Sequence, residues 1–161
     1  MPHLRPEGIA VYVYRHTNGG RELLQIHRSG ETGEYQHSWQ TVYGGTEENE
    51  TAVEAALREL KEETNLAPLR MFQVEYIETF YMVMHDRIIM MPVFAVEVAL
   101  DAVITLNSEH NAFRWIPAAQ FESHFMFRTQ REALTHLLAA LDHPTAALPL
   151  LTIDLAHYRP R

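Results

Sequence analysis

The sequence predicts a single domain of mixed α/β (α+β) class, and three observations predict it. An apolar, β-forming run at Gly8–Tyr14 is followed by the turn signal Asn18-Gly19-Gly20 and a second β-like run. Two long β-rich runs, 72–84 and 88–100, stand back to back around His85-Asp86-Arg87 and read as a hairpin. Two capping boxes, Thr51-Ala-Val-Glu54 and Thr129-Gln-Arg-Glu132, each precede apolar residues at helical spacing.

Each element has its own warrant. Gly8–Tyr14 lacks polar alternation, so it reads as a strand covered on both faces. Glu22–His27 is the returning strand. Residues 29–38 are polar and contain glycine, hence a loop, and Trp39–Tyr43 is a short strand running into Gly44-Gly45. The first helix runs from the Thr51 cap to about Thr64. After the hairpin, Ala112–Ile116 is a short strand, and Pro117 stands where a proline opens a helical turn. A closing helix over about 129–142 buries Leu134, Leu137, Leu138 and Leu141. The tail 144–161 is apolar (Leu148, Leu150, Leu151, Ile153, Leu155) but broken by Pro144 and Pro149. Such a cluster is expected to pack on its own domain or on a second subunit, which makes a homodimer an expectation.

Composition narrows the function. The 161 residues suit one core, here a single domain over 1–161. The absence of cysteine excludes disulfides and thiolate metal sites. A formal charge of −8 argues against a nucleic-acid backbone as partner, because phosphate tracking needs a basic face. An acidic chain still binds a phosphorylated small molecule when a divalent cation sits between them. No window approaches about eighteen uninterrupted apolar residues, so no membrane span is expected. Met1–Pro6 lacks the apolar region of a secretory signal, and a cytoplasmic location is the expectation. Ten histidines raise zinc, but none pairs at the close helical spacing of a zinc site.

The chemistry is concentrated in the first helix. Val53, Ala56, Leu57 and Leu60 form its apolar stripe, and at about 100° per residue Glu59, Glu62 and Glu63 fall together beside it. Like charges at three and four residues' separation cost a few tenths of a kcal/mol per pair. A hard divalent cation with oxygen ligands would repay that cost. A solvated acidic face screened by Arg58 and Lys61 is the plainer alternative.

The residues leading into the helix favour the cation. Gly44, Glu50 six residues on, and Arg58-Glu59-Leu60-Lys61-Glu62-Glu63-Thr64-Asn65-Leu66 resemble the Nudix box over 44–66, with Asn65 where that family has glycine. From average composition, chance agreement at the other positions is on the order of one in 10⁵ for this length. Asparagine is the next most tolerant residue in the left-handed turn that ends a helix, so the exception leaves the carboxylates untouched.

The resemblance implies an α/β/α sandwich around a mixed sheet and hydrolysis of a nucleoside-diphosphate-type bond with Mg²⁺ or Mn²⁺. By position, it implies that Glu59, Glu62, Glu63 and the backbone carbonyl of Tyr43 hold the metal. It assigns Glu62, Glu109 and Arg58 to catalysis, Arg58 by orienting a carboxylate and Glu109 as a loop base or further ligand. Glu50 takes a supporting role. Trp39–Gly44, Ser108-Glu109-His110, Arg114-Trp115 and Gln130-Arg131-Glu132-Ala133 are similar to the dATP and dihydroneopterin triphosphate pyrophosphohydrolases. Related strings occur in dinucleoside polyphosphate hydrolases, which usually carry a lysine near the box glycines, where this chain has Gly45-Thr46. A small-molecule nucleotide is therefore the expected partner. A dinucleoside polyphosphate hydrolase and a Nudix-fold domain that binds a nucleotide without cutting it are the competing functions.

Candidate substrate-binding residues are Arg28, Trp39, Gly44 and Gly45. Arg28 ends the second strand beside the polar loop, where a phosphate contact competes with simple exposure. Trp39, Tyr43, Phe80 and Tyr81 could stack on a base, although strand aromatics are more often core. Met71, Met82, Met84, Met90 and Met91 are most simply core filling.

Overall fold

Gly8–Thr17 (β1) forms the centre of the molecule in a computed structural model that describes residues 5–30 and 35–158. It pairs antiparallel with Gly20–Arg28 (β2) along one edge and parallel with Arg87–Glu97 (β6) along the other. Trp39–Gln40 (β3) flanks β2, and Val42–Gly45 (β4) continues the β2 side of β1 at its start. Arg70–Met82 (β5) pairs with β6 as a long hairpin, and His110–Pro117 (β7) returns beside β2. The result is one mixed seven-stranded sheet.

A β-strand sends successive side chains to opposite faces. In β1 the odd positions Ile9, Val11 and Val13 join one buried cluster, and the even positions Ala10, Tyr12 and Tyr14 join another. The unbroken apolar run therefore has a physical cause: both faces are covered. Ala52–Thr64 (α1) covers one with Ala55, Ala56 and Leu60. Arg128–Asp142 (α3), preceded by the short Phe121–His124 (α2), covers the other with Ala133, Leu134 and Leu137. This is the α/β/α sandwich. No helix among the described residues is long and apolar enough to cross a membrane.

Several elements depart from expectation. Trp39–Tyr43 is not one strand: β3 pairs with β2 and β4 with β1, and between them buried Thr41 donates its hydroxyl to the Val11 carbonyl. β6 ends at Glu97 rather than near residue 100, because the chain turns where Ala102 N–H donates to the Ala99 carbonyl. Thr129 does not cap the closing helix. The cap is Phe127, whose N–H donates to Gln130 Oε1 at 3.3 Å, and Thr129 lies within the first turn. Met84 and Met90 are exposed near the hairpin tip rather than filling the core, while Met71 and Met91 are buried. Tyr81 is likewise exposed. Part of the 29–38 loop, residues 31–34, lies outside the described residues.

The tail packs on its own domain. Leu148–Leu151 (α4) sets Leu148 into the α3-side core, and Thr152 then bridges to Phe72. Ile153 N–H donates to the Met71 carbonyl at 2.9 Å, and Ile153 and Leu155 reach the α1-side core. The segment thus crosses the outer edge of β5 from one layer to the other.

Candidate active site

The box begins with a helix held at both ends. Thr51 Oγ1 accepts from Glu54 N–H at 3.2 Å, and the Glu54 carboxylate accepts from Thr51 N–H at 2.9 Å. At the other end Asn65 takes the left-handed conformation (φ 58°), its N–H donating to the Lys61 carbonyl at 2.9 Å. The asparagine occupies the turn expected of the missing glycine.

Arg58 is the hub. Its guanidinium grips Glu50 in two parallel bonds of 2.8 and 2.9 Å, a fork that fixes geometry as well as charge. It donates to Glu59 at 2.8 Å, to Glu62 at 3.3 Å and to the Gly45 carbonyl at 2.9 Å. The Glu50 carboxylate also accepts from Glu47 N–H at 2.9 Å, and its bonds from Arg58 hold its pKa below the usual value. One arginine therefore ties the loop 45–50 to the helix and steadies two of the three box glutamates. Gly44 has a separate reason to be glycine. A Cβ there would stand 2.1 Å from Glu59 Cδ, so the carboxylate lies directly against the backbone.

Glu63 is nearly buried, and its Oε2 has no hydrogen-bond partner. Burial, followed by the charges of Glu59 and Glu109, pushes its pKa up to about 9. Burial also raises Glu59, against the pull of Arg58, and Glu62 and Glu109 add to that rise. A buried, unpartnered carboxylate among like charges is costly unless a cation reaches it. Carboxylate oxygens are the donors that Mg²⁺ and Mn²⁺ prefer, so the residues fit such an ion. Among the described residues no three acidic or imidazole groups already form a closed metal-holding set. Glu50, Glu59 and Glu62 gather around the Arg58 guanidinium, with Glu63 beside them.

Glu109 comes to this cluster through the sheet. The β2–β7 ladder shifts register between His27 and Arg28, and the turn before β7 lies against the end of β2. Ser29 N–H donates to the Glu109 carbonyl at 2.8 Å, and the Glu109 carboxylate stands 3.5 Å from the Arg28 guanidinium. Arg28 Nε is buried and unpartnered. Asn107 Oδ1 accepts from Glu109 N–H at 3.2 Å and lies 3.1 Å from His110 Nδ1. Burial, then the charges of Arg28 and His27, lowers the His110 pKa to about 4. Thr105 N–H donates to the Thr64 carbonyl at 2.9 Å, anchoring the segment before this turn to the end of α1.

Arg28, Gly44, Gly45, Arg58, Glu59, Glu62, Glu63 and Glu109 are thus brought together. Of the other two expected residues, Tyr43 keeps its backbone carbonyl beside Gly44, and the Trp39 side chain points elsewhere. The Tyr43 ring packs in the α3-side layer, and only its backbone adjoins Gly44. Trp39 lies across the sheet, one face covered by Arg114 at 4.1 Å, with His27 at 5.0 Å. Arg114 in turn donates to Gln25, whose amide donates to His124 of α2, which fixes the side. Two open hollows, of about 220 and 290 Å³, lie away from the carboxylates, one along β5, α3 and α4 and one beside Arg21 and Asp142. The candidate site is therefore located by its charges and not by either hollow.

Sequence reasoning missed a buried network on the opposite face. Glu78 accepts hydrogen bonds from Tyr12 and, at 2.9 Å, from Tyr43, whose hydroxyl accepts from Gln130 Nε2 at 3.1 Å. The available signal was parity: Phe72, Val74 and Tyr76 share a strand face, and Glu78 continues that inward series. Asn107, three residues before His110, had no comparable mark.

Comparison with known proteins agrees with this geometry. The NUDIX domain family matches residues 6–138. The chain belongs to the NUDIX family. A Listeria monocytogenes protein assigned to the NUDIX hydrolases superposes with a TM-score of 0.72 at 23% identity, covering 86% of this chain and 95% of that one. A C. elegans Ap4A hydrolase gives 0.70 at 20% identity, covering 84% and 96%. The E. coli dihydroneopterin triphosphate pyrophosphohydrolase gives 0.64 at 23% identity, covering 83% and 95%. A Myxococcus xanthus octanoyltransferase is 30% identical over 140 residues, which are 86% of this chain but only 38% of that protein.

Proposed function

We propose that the protein is a divalent-metal-dependent pyrophosphohydrolase acting on a nucleoside triphosphate or a related nucleoside-diphosphate-linked substrate. The observation that carries this reading is the buried, unpartnered Glu63 oxygen beside Glu59, Glu62 and Glu109. Glu59, Glu62, Glu63 and the Tyr43 carbonyl would hold Mg²⁺ or Mn²⁺. When bound, the ion supplies neutralisation of phosphate charge and activation of water. Arg58 fixes Glu59 and Glu62 and keeps the box loop closed. Arg28, with an unused buried N–H, binds phosphate oxygens. Glu109, on a turn held by Ser29 and Asn107, accepts the proton of the attacking water as it closes on phosphorus.

The triphosphate branch is favoured by the strings around Trp39, Glu109 and Gln130 and by Gly45-Thr46 in place of a lysine. The test is a nucleotide panel in Mg²⁺ with products identified, run in ¹⁸O-water. A nucleoside monophosphate with pyrophosphate, and label on phosphorus, is the expected result. A nucleoside triphosphate released from a dinucleoside polyphosphate would move the assignment to that class. Tight nucleotide binding without turnover would make the domain a binding module. Label absent from both phosphorus-containing products would refute the mechanism.

A further inference from the structure

Among the described residues, the distal half of the β5–β6 hairpin is an arm with no layer covering one of its faces. β6 pairs with β1 from Val93 onward, and Gly8, where β1 starts, packs against Met91. The pairs Thr79–Met90 and Tyr81–Ile88 therefore lie past the start of β1, and Ile77–Pro92 stands at its first residues. By strand parity these six side chains share the face of Phe94 and Val96, which belong to the α1-side core. None of the six is charged, in a chain of net charge −8. Ile77, Tyr81, Ile88 and Met90, with Val83 and Met84 at the tip, are between 43% and 81% exposed.

An isolated two-stranded hairpin is marginal in water, so an arm with an open apolar face gains stability when that face is covered. We propose that it is covered by a second copy of this chain, with the two arms stacked face to face about a two-fold axis. Together these six exposed apolar side chains, four on the face and two at the tip, amount to several hundred Å², comparable to the ~800 Å² that each partner contributes to a stable interface. An uncharged patch opposed to itself meets no repulsion across a two-fold axis, whereas a charged partner would gain nothing from it. Asp86 at the tip disfavours an anionic bilayer. The tyrosine hydroxyl of the face is already satisfied, donating to Asp86 at 2.7 Å, so stacking buries no unmet donor there. The arm is also linked to the box loop: Arg87, beside the tip, pairs with Glu7, and the Glu7 carbonyl accepts from Thr46 N–H at 3.2 Å.

Light scattering coupled to size exclusion, over low to high micromolar protein, tests the arm. The expected mass is twice the 18.6 kDa of one chain. Ile88→Lys and, separately, Val83→Lys should each weaken association by about a hundredfold or more, because each sets like charges against each other across the axis. Both positions are exposed, and an unchanged circular dichroism spectrum shows that the fold is kept. Leu150→Lys, on the exposed side of the tail, should leave the doubled mass intact. A wild-type chain monomeric throughout overturns the proposal, as does a doubled mass in both arm variants. Co-sedimentation of monomeric wild type with phosphatidylcholine vesicles would give the arm to a lipid surface and equally overturn it.

Discussion

Glu63 holds a proton that a bound cation would displace, and this makes its effect on stability depend on pH. Its pKa is about 9 in the fold against 4.5 as the ordinary value. Between those limits the folded chain retains a proton that the unfolded chain has released, so stability in the absence of metal is full below about pH 4.5 and declines as pH rises toward 9. The increment given by Mg²⁺ to the melting temperature should therefore grow with pH. Glu63→Gln needs no proton. Without metal at pH 8 it should melt no lower than wild type, lose most of the Mg²⁺ increment and lose at least about 10²-fold in kcat. A variant that keeps the Mg²⁺ increment would remove Glu63 from the ligand set. Glu109 differs, being half-exposed and held by backbone bonds, so Glu109→Gln should lower kcat by about 10²-fold with little change in melting. Near-normal kcat in that variant would make Glu109 a bystander.

At the scale of the element, the loop 44–50 and α1 act as one piece because Arg58 bonds to both. Gly44→Ala tests how tightly they close. The added Cβ would displace the flexible Glu59 carboxylate rather than the backbone, so the fold should survive while Mg²⁺ affinity, measured calorimetrically, falls by about tenfold or more. Unchanged affinity would show that Glu59 is free to move without consequence. This element was the most legible in the sequence. The Thr51 cap, the apolar stripe and the asparagine turn are each set by residues within a few positions of one another. The start of α3 was misjudged because Gln130 can serve a cap two residues before Thr129, a choice that local spacing does not reveal. The split of Trp39–Tyr43 was hidden for a different reason: β3 and β4 differ only in the distant strand each one meets.

For the whole molecule, the two-faced burial of β1 and the long hairpin were readable from hydrophobic pattern, and the layered architecture followed. The gathering of Arg28 and Glu109 beside α1 was not readable from pattern, since it depends on β7 lying against β2 with a register shift. Glu78 escaped for a related reason: its partners come from β1 and β4, far away in sequence. Met84 and Met90 misled because the hairpin outruns the sheet that would have covered them, whereas Met71 and Met91 fill the core as expected.

The segment 148–155 follows every strand among the described residues, and it covers the outer margin of β5 at Met71 and Phe72 by crossing from Leu148 in one layer to Ile153 and Leu155 in the other. During synthesis that margin stands bare from the moment β5 and β6 pair until these residues leave the ribosome. For that interval the nascent domain presents free backbone donors and acceptors to any neighbouring strand, the circumstance in which edge-to-edge aggregation begins. The same few residues that add a little apolar contact in the finished molecule thus act as a latch on that margin, closing late over its Met71–Phe72 stretch.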